Sequence, residues 1–352
     1  MKNFLKEKRL DGFLISNIYN ISYLTDFYGF SKDEREAYIL ITKNKNFIIT
    51  DGRYKEAVLK NIPHFTLCLR SPGETVSEII KELVLKYKIK KIGFEENSLT
   101  VFEFKSFSKK VQGVKFVPAE IKSLRVIKNE NEIRYIKKAC KIGDLAYSGI
   151  LEKLRIGVTE KEIATELEFF IKKNRGELSF PSIVAFGKNS SMPHHQTGDK
   201  KLTRGDKFIL LDFGVKFNNY CSDMTRTVFI GKVTPEIRKM YQTVLDAQKK
   251  AIEKLKTGIK ASNVDKTARN YITECGFPTI PHSLGHGVGL EVHESPRLAP
   301  KSKDILKENM VFTIEPGIYI PNFGGVRIED VVLLTKTGAK LLTHSPKGMI
   351  EV

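Results

Sequence analysis

The sequence predicts an α+β protein in two parts: a smaller α/β domain over residues 1–123 and a larger α+β domain over residues 124–352. Three observations lead there. At 352 residues the chain exceeds what one typical hydrophobic core organises. Up to Ser123, short apolar runs alternate with single helical patterns, the texture of a layered α/β sheet. Beyond it, two pairs of helical patterns are each followed by antiparallel strand material, which reads as an internally duplicated α+β domain.

In the first part, Gly12–Ser16 is a short apolar strand. Ala37–Ile41 and Phe47–Thr50 flank the turn Asn44-Lys45-Asn46 as a hairpin. Thr75 with Glu78 forms a capping box for a helix running to about Lys86. Lys91–Glu95 and Lys115–Val117 complete the strands, and the domain ends near Pro118–Ser123. It holds neither a phosphate-binding glycine fingerprint nor a clustered set of acids and histidines.

In the second part, Ile133, Ile136, Ala139, Ala146 and Ile150 recur at helical spacing within Asn129–Leu154. Thr159 and Glu162 form a second capping box, with Gly176 as the expected helix stop. Thr234-Pro235 opens a third helix with proline at its first position, and a fourth runs from about Ser262 to Gly276. Strands are expected at Phe180–Phe186, Lys207–Phe217, Tyr220–Ile230, Val311–Ile320 and Val326–Leu334.

Composition narrows the class. The four cysteines, at 68, 140, 221 and 275, form no C-x-x-C pair and read as reduced thiols. The first sixteen residues mix Lys with Glu7 and Asp11 and lack the apolar stretch of a signal peptide. No run approaches the roughly 20 apolar residues needed to span a bilayer, so a cytoplasmic protein without a membrane partner is expected. The net charge of +18 raises the question of nucleic acid. The excess is spread as lysine through both parts, with no basic block, and reads as a solvated surface rather than a nucleic-acid footprint.

The chemistry begins at Pro281–Glu294, where His282, His286 and His293 are interleaved with Gly285, Gly287 and Gly289. Each glycine would cost a helix about 1 kcal/mol, so the stretch is a strand or loop where backbone comes close to something else. Elsewhere, acids sit inside apolar strands, where a charge is costly unless paired or metal-bound. They are Asp212 after Phe208-Ile209-Leu210-Leu211, Asp223 eleven residues later, Glu315 after Phe312-Thr313-Ile314, and Glu329 after Val326-Arg327-Ile328. If the strands bearing Asp212 and Asp223 pair through a turn near Lys216–Asn219, both carboxylates meet on one face. Arg226 and Arg327 do not supply enough positive charge for four carboxylates. Two divalent cations balance them. Oxygen-rich ligation with one histidine suits Mn²⁺, Co²⁺ or Fe²⁺ better than a structural zinc site, with Mn²⁺ first and Zn²⁺ an alternative. Two metals about 3.5–4 Å apart share a hydroxide and generate a nucleophile at neutral pH.

Asp212-Phe213-Gly214, Ser222–Arg226, His282–Glu294, Thr313–Gly317 and Arg327–Asp330 resemble, in order and spacing, the five ligand segments of the pita-bread metallopeptidases. The N-terminal α/β domain makes the chain similar to the aminopeptidase P and prolidase branch, whose members share the creatinase fold. The resemblance implies a dinuclear metallopeptidase acting on peptides with proline second, and a homodimer. It implies that Asp212 binds one metal, that His286 with Glu315 binds the other, and that Asp223 and Glu329 bridge them. Glu315 is also the implied proton acceptor, and His293 the group that stabilises the tetrahedral oxyanion. His282 is implied in the proline pocket, and Arg327 orients Asp212. A further histidine is expected from Met192-Pro193-His194-His195, with His194 favoured by its pairing with proline and His195 the alternative.

The expected activity is therefore an Xaa-Pro aminopeptidase of the aminopeptidase P type. The alternative is an Xaa-Pro dipeptidase, in which Arg297 clamps the free carboxylate of the dipeptide or else is a surface arginine. A non-catalytic binder on the same fold is the reading from another class, opposed by the complete ligand set.

Overall fold

The computed structural model describes residues 1–121 and 123–352, so Lys122 within the expected Pro118–Ser123 boundary lies outside the described residues. The chain divides into two compact units, Met1–Leu124 and Arg125–Val352.

The first unit is a six-stranded mixed sheet. Its order from edge to edge is Thr66–Arg70, Asn46–Asp51, Ala37–Thr42, Gly12–Ile15, Lys91–Phe94 and Lys115–Pro118. Both faces are covered, and the period-2 alternation of strands assigns them. Leu14, Leu40, Phe47 and Ile49 pack with the Val76–Lys86 and Val101–Lys110 helices. Phe13, Ile15, Ile39 and Ile48 point the other way, into a core that includes Leu5, Ile21 and Val58. The Thr75–Glu78 capping box is present, and a second at Thr100–Glu103 opens the Val101–Lys110 helix. The edge strand Thr66–Arg70 and that last helix were not expected from the pattern. Both carry too few apolar residues at one spacing to stand out.

The second unit repeats one plan. The helices Glu130–Leu151 and Glu160–Lys173 precede a three-stranded antiparallel sheet of Ile183–Phe186, Phe208–Phe213 and Met224–Phe229. The helices Pro235–Glu253 and Ala261–Glu274 precede a five-stranded sheet of Glu294–Leu298, Gly285–Gly287, Val311–Ile314, Asp330–Thr335 and Gly338–Leu341. Each helix pair has its own core. Ile209, Leu211 and Phe213 face the first pair, whereas Phe312, Ile314 and Val332 face the second. Residues of opposite parity, Asp212 in the first sheet and Thr313 in the second, therefore point away from the helix layers.

Three differences from the expected elements bear on the site, while the turn expected near Lys216–Asn219 is present. The helix after Glu160 ends at Lys173, and the residue in the left-handed region is Arg175, at φ 63°, not Gly176. Gly176 is needed for a close approach instead, since a Cβ there would lie 2.7 Å from Val215 Cγ1. The turn between the Asp212 and Asp223 segments sits at Asn218-Asn219, both at positive φ, which joins Val215–Phe217 to Tyr220–Cys221 as a tight hairpin. Asp223 does not lie inside a strand but in the gap between Tyr220–Cys221 and Met224–Phe229. The long strands expected over 311–320 and 326–334 are likewise split. The first breaks at Glu315-Pro316 and the second at Ile328-Glu329. The breaks fall at the acidic residues because these carboxylates turn towards one another rather than alternating in a ladder.

Candidate metal centre

Asp223, His286 and Glu329 each offer a donor atom, and the three atoms lie within 4.8 Å of one another. His286 Nε2 is 3.6 Å from Asp223 Oδ2 and 3.4 Å from Glu315 Oε1, which brings the fourth residue in. His286 is held against the neighbouring strand Val311–Ile314: its backbone N–H donates to Thr313 Oγ1 at 3.1 Å, and that hydroxyl reaches Glu315 Oε1 at 3.3 Å. Asp212 joins through Arg327, whose Nη2–H donates to Asp212 Oδ2 at 2.6 Å. Asp212 stands opposite Thr225 in the antiparallel ladder, and the Thr225 hydroxyl donates to Glu329 Oε2 at 2.6 Å.

Arg226 belongs elsewhere. Its guanidinium donates to Asp330 Oδ1 at 2.7 Å and to the backbone carbonyls of Glu329 and Ser345, never to the four carboxylates. It thereby fixes the backbone at Glu329. Arg327 is the only Lys or Arg among the described residues within ion-pair distance of the cluster. One cation for four acids leaves a large excess of negative charge in a buried place. Burial and the neighbouring Glu329 charge hold Asp223 well above the usual carboxylate range. Burial and the Glu315 charge do the same to Glu329. Glu315 is pushed up to about 8, mainly by burial. Burial drives His286 down to about 3, helped by His293.

This arrangement fits divalent metal. One buried oxygen on each of Asp212, Asp223 and Glu329 (Oδ1, Oδ1 and Oε1) has no hydrogen-bond partner among the described residues, an expensive state unless a cation completes it. An oxygen-rich donor set with a neutral imidazole matches the hard to borderline cations expected from the sequence.

Around the cluster the histidines divide by what they touch. The His286 and His293 rings meet edge to face at 4.3 Å between centroids. His293 lies not on a strand but in the bend between Gly285–Gly287 and Glu294–Leu298, on the exposed side. His282 has both nitrogens committed. Nδ1 is 2.8 Å from the Ser283 carbonyl, and Nε2 is 2.8 Å from the Tyr319 hydroxyl. A carbonyl only accepts, so Nδ1 carries the proton and Nε2 accepts from Tyr319. Tyr319 in turn accepts from Arg327 Nη1 at 2.8 Å. Burial pulls His282 down to about 4, with Arg327 adding to it. Tyr319 therefore links the pocket histidine to Asp212, a role that sequence reasoning missed: a tyrosine in Gly317–Ile320 reads as core. His195 Nε2 lies 2.8 Å from the buried Glu160 Oε2. His194 is exposed and is coupled electrostatically to both His282 and His293.

A family description reading "metallopeptidase family M24" matches residues 134–336, carrying every donor named above. The chain belongs to the M24 metallopeptidase family. A "Creatinase/Prolidase N-terminal domain" matches residues 1–127, which bears out the expected pairing of a creatinase-type N-terminal domain with a pita-bread domain. This M24 chain is 39% identical over 354 residues to a Xaa-Pro dipeptidase of Pyrococcus horikoshii, covering 99% of this chain and 96% of that protein. It superimposes on the structure of a Xaa-Pro dipeptidase from Bacillus anthracis with a TM-score of 0.93 and 36% identity, covering 100% and 98% of the two chains. The structure of an X-Pro aminopeptidase from Thermotoga maritima follows with a TM-score of 0.86 and 37% identity, covering 99% and 100%. The chain is a peptidase, and no helix among its described residues is long and apolar enough to cross a membrane.

Proposed function

We propose that this M24 peptidase is an Xaa-Pro dipeptidase that cleaves dipeptides before a C-terminal proline. This reverses the order expected from the sequence, where the aminopeptidase came first. The observation that carries it is Arg297. Its Nε donates to Ser283 Oγ at 2.8 Å, and it forms no ion pair among the described residues. It is exposed, stands opposite His286 in the ladder, and its charge is felt at His293. An unneutralised guanidinium beside the reacting centre suits the free carboxylate that every dipeptide has and that a longer peptide carries further away. The names of the Pyrococcus and Bacillus relatives support the same order. The aminopeptidase reading stays second, supported by the likeness to the Thermotoga structure.

Asp212, Asp223, His286, Glu315 and Glu329 would hold two divalent ions, Mn²⁺ first. When bound, such ions polarise the scissile carbonyl and supply a nucleophile from water at neutral pH. The chain's own groups do the rest. Glu315 takes the proton released as water attacks. His293 and His194, on the open side, donate to the developing oxyanion and hold the substrate backbone. His282 cannot offer an N–H, since its one proton is spent on Ser283. It presents its ring to the proline and so shapes the pocket. Arg327 keeps Asp212, Thr225 and Tyr319 in register. A homodimer in the cytoplasm completes the proposal, in keeping with four cysteines that form no disulfide.

Hydrolysis of a Xaa-Pro dipeptide, its C-terminal amide and a Xaa-Pro-Xaa tripeptide by Mn²⁺-loaded protein tests the reading. A dipeptidase cuts the first far faster than the other two. Equal or faster cleavage of the tripeptide makes the protein an aminopeptidase.

A further inference from the structure

His293 hangs on a short bend whose two flanking acids are tied to one distant stretch of chain. Glu294, next in sequence, is buried, its side chain 3% exposed, and its Oε2 accepts from Lys128 Nζ at 2.8 Å. Lys128 is 1% exposed, which is rare for a lysine, and also donates to the Arg125 carbonyl at 2.6 Å. Glu291, two residues before His293, pairs with the buried Arg125, which also lies 3.6 Å from Glu294. The same Glu294 carboxylate accepts the Glu291 backbone N–H at 3.1 Å, and the Gly289 N–H donates to the Glu291 carbonyl at 3.0 Å. Gly289 is required for this: a Cβ there would stand 2.6–2.8 Å from the Glu294 carboxylate. These ion pairs of Lys128 and Arg125 go to Glu294 and Glu291, not to the carboxylates of the metal centre.

Two buried cations are an expensive way to hold a surface bend. A hydrophobic replacement of such a pair is often no less stable, so stability alone does not account for it. We propose that Lys128 and Arg125, acting through Glu294 and Glu291, form a clamp that positions the His293 ring over the reacting centre. The clamp grips the bend on both sides of His293 and leaves its ring against that of His286. The carboxylate that closes the bend is neutralised from below, so it brings no extra negative charge to a centre already overloaded with acids. Lys128 and Glu294 are thus positioning residues. This rests on the reading that His293 serves the reaction.

The test uses Mn²⁺-loaded protein with Glu294→Gln, which keeps the shape and removes the charge, and Gly289→Ala, which displaces the carboxylate and keeps the charge. His293→Ala and the double variant His293→Ala/Glu294→Gln complete the set. Displacing a reacting group by about 1 Å costs on the order of 100-fold, so kcat should fall by about 10–100-fold in both clamp variants with KM little changed. In the His293→Ala background, Glu294→Gln should cost nothing further, because the clamp acts only through that ring. ¹⁵N-histidine spectra of the same variants loaded with diamagnetic Zn²⁺, with the His293 signal assigned from its alanine variant, should show that resonance moved in Glu294→Gln at temperatures well below unfolding. If Glu294→Gln unfolds, Gly289→Ala carries the same readouts. An unmoved His293 resonance with wild-type kcat, or an equal loss of kcat in the His293→Ala background, overturns the clamp. If His293→Ala alone keeps full turnover, the catalytic reading of His293 fails; the resonance then decides the clamp, a moved signal supporting it and an unmoved one overturning it.

Discussion

Arg327 donates to Asp212 Oδ2 at 2.6 Å through Nη2, and the rest of its guanidinium is fully engaged in the same network. Nε reaches Thr225 Oγ1 at 2.9 Å, and Nη1 reaches the Tyr319 hydroxyl at 2.8 Å. Through those two hydroxyls it governs Glu329 and His282 as well. One planar fork thus sets the direction of a carboxylate from each half of the duplicated domain and of the pocket histidine. A lysine has the charge but not the geometry.

Arg327→Lys should therefore fold and keep the net charge while losing the centre's order. Mn²⁺ affinity is expected to drop by about 10–100-fold, the scale for losing a partner that orients a ligand. Calorimetric titration with Mn²⁺ measures it, with circular dichroism to verify the fold. Unchanged affinity would mean that Asp212 is held in place by its strand alone.

Stripping metal should make stability depend on pH in a definite sense. Glu315 at about 8, with Asp223 and Glu329 also raised, means that the folded metal-free protein binds more protons than the unfolded chain from about pH 4.5 upward. Their contribution is present at low pH and is lost as pH rises towards 8. His286 at about 3 and His282 at about 4 act oppositely, gaining stability as pH rises to their ordinary value near 6.5. Above about 6.5 only the carboxylates remain to act. The Tm of chelator-treated protein should fall between pH 6.5 and 8, and added Mn²⁺ should raise it and remove the decline. Scanning calorimetry checks this; a rising Tm in the stripped protein over that window would mean that the carboxylates are not crowded.

Much of this was legible in the sequence, and for physical reasons. Asp212, Asp223, Glu315 and Glu329 were visible because an acid in an apolar run needs compensation, and the structure does bring them to one place. Capping boxes at Thr75 and Thr159 placed helix starts because they are local, involving residues three apart. The strand interruptions at Asp223, Glu315 and Glu329 were not legible. Apolar residues on both sides look like one continuous strand, and only the meeting of distant carboxylates shows why the ladder must break. Arg226 and Arg327 look alike in sequence, each in a strand beside site residues. Only the fold gives Asp330 to the first and Asp212 to the second. Tyr319 and Lys128 were hidden for the same reason: their partners lie 37 and 166 residues away.

Arg297→Met should separate the two peptidase readings within one protein. If the guanidinium holds a dipeptide's carboxylate, kcat/KM on a Xaa-Pro dipeptide falls by about 10–100-fold, the worth of one hydrogen bond to a charged group. The C-terminal amide, already poor, should hardly change. Steady-state kinetics on both substrates measures the difference. An equal loss on the two would assign Arg297 to the bend geometry through Ser283 rather than to the substrate.

His194 and His195 are neighbours in sequence with opposite expected roles. His195 Nε2 meets Glu160 Oε2 at 2.8 Å, and the same carboxylate accepts from the Phe186 and Gly198 backbone N–H groups and from Asn189. Glu160 is wholly buried at the first turn of its helix, so it ties the 186–198 segment to the scaffold. His195→Ala removes one of four bonds to a buried acid and should cost about 1–3 kcal/mol of stability. Turnover per folded molecule should stay near normal. His194 is exposed and makes no such anchor among the described residues, while it is coupled electrostatically to His282 and His293. His194→Ala should leave stability unchanged and lower kcat by about 10²-fold, the scale for one positioned donor. Urea unfolding and kcat on the two variants form a crossed pair. If His195→Ala is the variant that loses turnover with stability intact, the substrate faces the other ring, and the roles proposed for the pair are exchanged.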